Sequence, residues 1–181
     1  MILKGRKVIL RAIERKDLEL LVELVNDPEI ENMIVGYAPP ISYAQEEKWF
    51  EKNMGNTDTF RWIIETEKDG AVGMISLANF DWKNRVATLS GIRVSSIISE
   101  AGIALDAIST VFKYGFEELN LNRIEGGYLD DNRGAIVMNK LAGFKVEGVK
   151  REFIFKRGKY HDYICIAILK SDYDIMKKRK R

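Results

Sequence analysis

The chain of 181 residues is 46% hydrophobic and 31% charged, a length that suits one domain with a single sizeable core and a balance that excludes disorder. One cysteine, Cys165, excludes an intrachain disulfide. No apolar run approaches the roughly 18 residues of a membrane span, and the charged opening MILKGRKVIL does not read as a secretory signal, so the expected setting is cytoplasmic, with no membrane partner. The net charge of +2 is a product of the last five residues, KKRKR; without them 24 basic residues of the 29 face 27 acidic ones, and a mildly acidic body is a poor nucleic-acid binder.

In chain order, Lys7 to Leu10 reads as a first strand. Lys16 to Val25 places Leu18, Leu21, Val22 and Val25 on one helical face, closed by Asn26-Asp27-Pro28. Pro39-Pro40 marks a bend, and Ser42-Tyr43-Ala44-Gln45 fits a capping box that opens a second helix through Trp49 and Phe50. The period then shortens: Phe60 to Glu65, Ala71 to Phe80 and Arg85 to Val94 predict an antiparallel meander turning at Lys68-Asp69-Gly70 and Lys83-Asn84. Ala104, Ala107, Ile108, Val111, Phe112, Gly115 and Leu119 then predict a long helix from Ile103 to Leu119, and Arg123 to Leu129 returns as a strand, completing a β-α-β unit. Asn132 caps a further helix through Leu141 that Gly143 stops. Lys145 to Lys156 and Tyr160 to Leu169 form a closing hairpin around Arg157-Gly158. The order β-α-α-β-β-β-α-β-α-β-β predicts a mixed α/β sandwich in one domain, residues 1–176, followed by a solvated basic tail, 177–181.

The stretch IISEAGIALDA (Ile97 to Ala107) joins a strand to a helix through small residues. Free N–H groups at such a helix start attract anions, and Gly102 and Ala104 leave room for a phosphate. Glu100 is the discordant residue, because a carboxylate aimed at a phosphate weakens its binding.

This order, with that turn before the third helix, resembles the GNAT superfamily of acyl-CoA-dependent N-acyltransferases. Three segments carry the resemblance: LRAIERKDLELLVELVNDPEI (Leu10 to Ile30), NRIEGGYLDDNRGAIVMNKLAGF (Asn122 to Phe144) and EGVKREFIFKRGKYHDYICIAIL (Glu147 to Leu169), the last with Gly158 and Asp162 four residues apart. They look like the branch that acetylates ribosomal-protein N-termini and its relatives. The resemblance implies a mostly antiparallel sheet flanked by about four helices, acetyl-CoA as co-substrate and transfer of its acetyl group to a primary amine.

It also implies site residues. The coenzyme is expected on the loop Ser99, Glu100, Ala101, Gly102, Ile103 and Ala104, on the main chain of Ile92 and Val94, and on Asn132, Ala135 and Asn139. The family's loop pattern is met at Gly102 and Ala104 and departs from it at Ser99. Asn139 stands where many members carry a tyrosine that protonates the leaving thiolate. Asparagine donates a hydrogen bond but has no proton to give, so Tyr128 or water is expected to serve with it. The acidic residue often found on the fourth strand is missing from Thr88-Leu89-Ser90, which leaves Glu65, Asp81 and Glu125 as replacement bases, each weaker than a plain surface role.

Trp49, Phe50, Trp62 and Trp82, with the loop Gly36 to Pro40, are candidates to shape the acceptor site. His161 beside Asp162 cannot form a relay, because neighbours in a strand face opposite ways, and is read as structural; one histidine and one cysteine imply no dedicated metal site. The acceptor is a small amine, an amino-sugar nucleotide or a protein N-terminus, and a homodimer is compatible with this fold. The alternative is a GNAT-fold domain that binds an acyl-CoA, or regulates, without catalysing transfer.

Overall fold

The computed structural model describes residues 2–95 and 100–179. One eight-stranded sheet in the order β1-β2-β3-β4-β5-β6-β8-β7 organises the chain. The strands are β1 (Leu3–Lys4), β2 (Ile9–Arg11), β3 (Thr59–Thr66), β4 (Gly70–Asp81), β5 (Val86–Val94), β6 (Arg123–Leu129), β7 (Lys145–Lys156) and β8 (Lys159–Leu169). Every neighbouring pair is antiparallel except β5 and β6, the parallel pair that the β-α-β reading requires.

Among the described residues six α-helices flank the sheet: α1 (Leu18–Asn26), α2 (Pro28–Met33), α3 (Tyr43–Asn53), α4 (Ile103–Lys113), α5 (Arg133–Ala142) and α6 (Lys170–Arg179). Two of them exceed the expected four. Asp27-Pro28 ends α1 as read, but it also opens α2: Asp27 accepts from the N–H groups of Glu29 and Ile30, and Pro28 fills a first-turn position that needs no donor. The basic residues Lys177 to Arg179, read as the head of a solvated tail, form the last turn of α6, where Lys177 reaches Glu117 at 2.5 Å. Lys180 and Arg181 lie outside the described residues. The predicted long helix ends as α-helix at Lys113 and continues as one π-helical turn, Tyr114–Glu118.

Alternation along the strands splits the core in two. Leu10, Ile64, Ile75, Leu77, Ile124 and Ile166 pack with α4 on one face. Ile63 and Met74 meet Leu18, Leu21 and Leu24 of α1 on the other, with Trp49 and Phe50 of α3 beside them. The predicted capping box of α3 is present: Ser42 Oγ accepts from Gln45 N–H, and Gln45 Oε1 accepts from Ser42 N–H at 2.8 Å.

Candidate active site

β5 and β6 pair over three residues only, Val86 with Arg123, Ala87 with Ile124 and Thr88 with Glu125. Beyond them the strands part. Around Gly91 the register of β5 against β4 slips by one residue, with Ser76 opposite Ser90 but Met74 opposite Arg93. A bulge of this kind bends a strand, and here it accompanies the departure of β5 from β6. The gap opens into a cleft of about 640 Å³ between Leu89–Val94 on one strand and Gly126–Tyr128 on the other.

Register assigns each wall to a face of the sheet. Tyr128, opposite Ile164 on β8, belongs to the α4 and α5 face, where Ala135, Met138 and Asn139 of α5 also line the cleft. Arg93, opposite Met74, and Tyr163, opposite Leu129 and in line with Gly127, belong to the α1–α3 face. There α2 and the segment after it, Ile30 and Met33 to Gly36, close the cleft. The cleft is therefore lined from both faces of the sheet.

Asn132 ties the two sides together. Its Oδ1 accepts from Ala135 N–H at 2.9 Å, capping α5, and its Nδ2 donates to the Met33 carbonyl at 2.9 Å. A second tie joins α2 to the terminal hairpin, where the buried Lys156 ammonium donates to the carboxylate of Glu31 at 2.7 Å and to its carbonyl oxygen. Asn139 is buried, and its Nδ2 donates to Ala135 O at 2.8 Å, one turn back along α5. One amide N–H of Asn139 thus remains for a ligand.

The phosphate loop is only partly in view, since Ser99 lies outside the described residues. Gly102 caps α4 in the left-handed conformation (φ 86°) and no side chain caps the helix start. Asp106 of the first turn accepts instead from Lys7 N–H at 2.8 Å and Val8 N–H at 3.2 Å. Glu100 is likewise engaged: it pairs with Lys7 Nζ at 2.8 Å, and the same ammonium donates to Ala101 O at 2.9 Å. The carboxylate that the sequence sets against a phosphate is held by a cation of the β1–β2 turn. Glu100, Ala101 and Gly102 are exposed, Ile103 is buried in the core, and none of the residues from Glu100 to Ala104 lines the cleft itself.

Among the expected residues, Ile92, Val94, Tyr128, Asn132, Ala135 and Asn139 come together around the cleft. The replacement bases do not. Glu65 pairs with Arg11 at 2.5 Å, Asp81 caps the turn at Asn84, and Glu125 pairs with Arg123 at 3.2 Å. The aromatics are also elsewhere. Trp49, Phe50 and Trp62 line a second cavity of about 490 Å³ at the end of β3, and the exposed Trp82 stacks on Phe80 at 4.7 Å. Of the Gly36 to Pro40 loop, Gly36 lines the cleft.

His161 is buried, with Nε2 at 3.2 Å from Lys156 O and Nδ1 at 3.4 Å from Asp130. Asp130, Asp131 and His161 bring potential ligand atoms within 4.8 Å of one another, a grouping that adjacency in sequence conceals. Arg157 already holds Asp131 through two contacts of 2.7 and 2.9 Å.

Three residues of the α1–α3 face escaped sequence reasoning. Arg93 lines the cleft with a buried Nε that has no hydrogen-bond partner among the described residues. Burial lowers its pKa, and the charges of Glu31 and Glu46 oppose that. Glu46 of α3 is buried, and desolvation raises its carboxyl above the ordinary glutamate value despite the pull of Arg93. Tyr163 lines the cleft from β8, and burial, then the nearby Cys165 and Glu125, push its phenol up. Only a strand-face assignment across β4, β5, β6 and β8 together groups them, and no local motif carries that information.

A parallel pair that splays beside a glycine-capped helix start is the arrangement that the GNAT resemblance implies. The chain belongs to the GNAT acetyltransferase family: the family model "Acetyltransferase (GNAT) domain" matches residues 7–145. It is similar to the prophage-derived N-acetyltransferase YokL of Bacillus subtilis, 27% identical over 171 residues that cover 94% of each chain. YdaF of the same organism, provisionally named a ribosomal N-acetyltransferase, is 28% identical over 186 residues, covering 92% of this chain and 93% of YdaF. The crystal structure of spermidine N-acetyltransferase from Vibrio cholerae in complex with CoA and spermine superposes with a TM-score of 0.85 at 27% identity, over 92% of this chain and 98% of that one. The protein is an N-acetyltransferase.

Proposed function

We propose that the protein transfers the acetyl group of acetyl-CoA to a small, positively charged primary amine. The observation that carries the reading is the cleft between β5 and β6, lined from both faces of the sheet. The pantetheine arm is assigned to the α4–α5 side. There the free main-chain groups of Ile92 and Val94 face the thioester, and the remaining N–H of Asn139 faces the sulfur, with Tyr128 beside it. The pyrophosphate is assigned to the uncapped start of α4, on the N–H groups of Ile103 and Ala104. With Glu100 held by Lys7, the loop carries no free carboxylate among its described residues.

The amine enters from the α1–α3 side. Asp27 and Glu29 line that end of the cleft, and Glu31 and Glu46 stand behind Arg93. This acidic setting favours a cationic acceptor over an anionic sugar nucleotide. Spermidine N-acetyltransferases of Vibrio cholerae and Escherichia coli, 27% and 26% identical, support the same class. Reaction needs the free amine: nitrogen attacks the thioester carbonyl, the oxyanion is met by main-chain N–H groups of β5, and the C–S bond breaks as nitrogen loses its proton.

The test is a steady-state acceptor panel with acetyl-CoA: spermidine, an amino-sugar nucleotide and a peptide with a free N-terminus. Spermidine is expected to give the highest kcat/KM. Preference for the peptide would return the acceptor to the ribosomal N-terminal branch, and acetyl-CoA binding without turnover of any amine would support the non-catalytic alternative. A homodimer through β7 belongs to the same proposal, because this edge strand exposes Val149, Phe153 and Phe155. A monomeric mass by light scattering would remove it.

A further inference from the structure

Tyr163 is placed in the cleft by an unusual accommodation. Its own strand, β8, is not a wall of the gap; β6 stands between them. A side chain at position 127 of β6 would screen the gap from β8. Position 127 is glycine, and a Cβ built there would clash with the Tyr163 ring, meeting its Cζ, hydroxyl oxygen and Cε2 within 2.5 Å. The ring therefore lies across the bare backbone of Gly127 and reaches the cleft. The neighbouring Gly126 is close to Leu89 O, so this is where β5 and β6 cease to touch and the gap begins.

The hydroxyl has no hydrogen-bond partner among the described residues, although Lys150 sits over the ring at 5.5 Å from its centroid. A half-buried phenol without a partner at the fork of a catalytic cleft has donor and acceptor capacity to spare. Tyr128, the other phenol of the cleft, sits on the α4–α5 face with the coenzyme. Tyr163 lies on the face from which the acceptor enters, with Arg93 on β5, Met33 at the end of α2 and Ile34 after it. Burial keeps its pKa raised, so the neutral phenol persists at working pH.

From this arrangement we infer that Tyr163 orients the attacking amine: its phenol oxygen accepts one N–H of the neutral acceptor, and Gly127 exists to let it do so. The inference rests on the acetyltransferase reading and adds to it the group that holds the nucleophile. No covalent step passes through the phenol. It fixes one N–H, which aims the nitrogen lone pair at the thioester carbon, and the proton lost on amide formation leaves through solvent.

The test compares wild type, Tyr163→Phe, Gly127→Ala and the double variant, with both substrates varied. Tyr163→Phe keeps the ring and is expected to lower kcat/KM for the amine about tenfold, the scale of one hydrogen bond made in the reactive complex. KM for acetyl-CoA and the melting temperature should stay unchanged. Gly127→Ala displaces the ring and should impose a loss of similar size, with little further loss in the double variant, since both remove one interaction. Tyr163→Phe alone decides the matter if Gly127→Ala does not fold. Unchanged amine kinetics in Tyr163→Phe, or a change confined to the KM for acetyl-CoA, would overturn the assignment while leaving the acetyltransferase reading intact. Wild-type protein inert toward every amine would remove both.

Discussion

Glu100 shows how a residue changes meaning once its partner is known. In sequence it stands beside Gly102 and threatens the phosphate; in the fold Lys7 comes from 93 positions away and pairs with it at 2.8 Å. The pair is exposed, and such pairs contribute at most about 1 kcal/mol. Glu100→Gly is therefore expected to change the Kd for coenzyme A by less than about threefold, whereas Lys7→Ala, which frees the carboxylate near the helix start, should weaken binding by more. Calorimetry at fixed salt measures both, and a large tightening in Glu100→Gly would show that the carboxylate does face the phosphates. Asn139 was legible as a cleft residue from its distance to Asn132 and Gly143, but its bond to Ala135 O was not. Asn139→Ala exchanges that bond for a better helix former, so stability should be nearly unchanged. Its kcat should fall roughly tenfold if the free N–H serves the sulfur. Unaltered kcat would take Asn139 out of the reaction.

Among the elements, capping and periodicity made most boundaries readable. Ser42 with Gln45, Asn132 with Ala135 and Gly143 as the left-handed stop all acted where the side-chain chemistry points. Asp27-Pro28 reads as a stop alone, because a proline that ends one helix and a proline that begins another look alike until the following residues are seen to turn; α2 is only six residues long and none of its residues is fully buried. The tail residues Lys177 to Arg179 are exposed, as a solvated segment is, yet helical, for a related reason. Lys177 is unremarkable by itself, and only Glu117, 60 residues earlier, gives its charge a place in α6. Asn132 combines both levels, capping α5 by local chemistry and holding Met33 by a contact 99 residues distant. Asn132→Ala should cost about 1 kcal/mol in chemical unfolding for the lost cap. It should also raise KM for the amine, because the Met33 to Gly36 wall loses its anchor. A stability loss with normal KM would show that the wall stands without it.

At the scale of the whole molecule, two buried carboxyls give opposite pH dependences. Burial pushes Asp17 up, but the guanidinium of Arg11, at 2.7 and 2.8 Å, and the N–H of Glu14 outweigh it and hold the carboxyl below the ordinary aspartate value. The stability this group contributes is fully present above the unfolded value, 3.8, and is lost as pH falls through the folded one. Glu46 behaves inversely. Its folded pKa is raised above the ordinary 4.5, so the protonated form suits the fold and stability falls as pH rises through the folded value. Asp17→Asn should destabilise the protein by roughly 3 kcal/mol at pH 7, because it leaves Arg11 half-paired. Glu46→Gln should raise the melting temperature at pH 7, an advantage that disappears near pH 4. Thermal melts between pH 4 and 8 measure both, and a Glu46→Gln gain independent of pH would show that desolvation of the charge is not its cause.

The same scale separates what local sequence determines from what it does not. Period, caps and turn residues set the helices and strands, because each depends on neighbours within a turn or a hairpin, and the resemblance to the acetyltransferase family rested on element order together with the three segments Leu10 to Ile30, Asn122 to Phe144 and Glu147 to Leu169. The cleft belongs to another level. It exists because β5 and β6, joined through α4, stop pairing at Thr88 and Glu125, and its α1–α3 face combines Arg93, Met33 and Tyr163 from three separate elements. Which carboxylate is neutralised, which phenol reaches the gap and which glycine lets it through depend on distances between residues far apart in the chain, and only the packed sheet sets those distances.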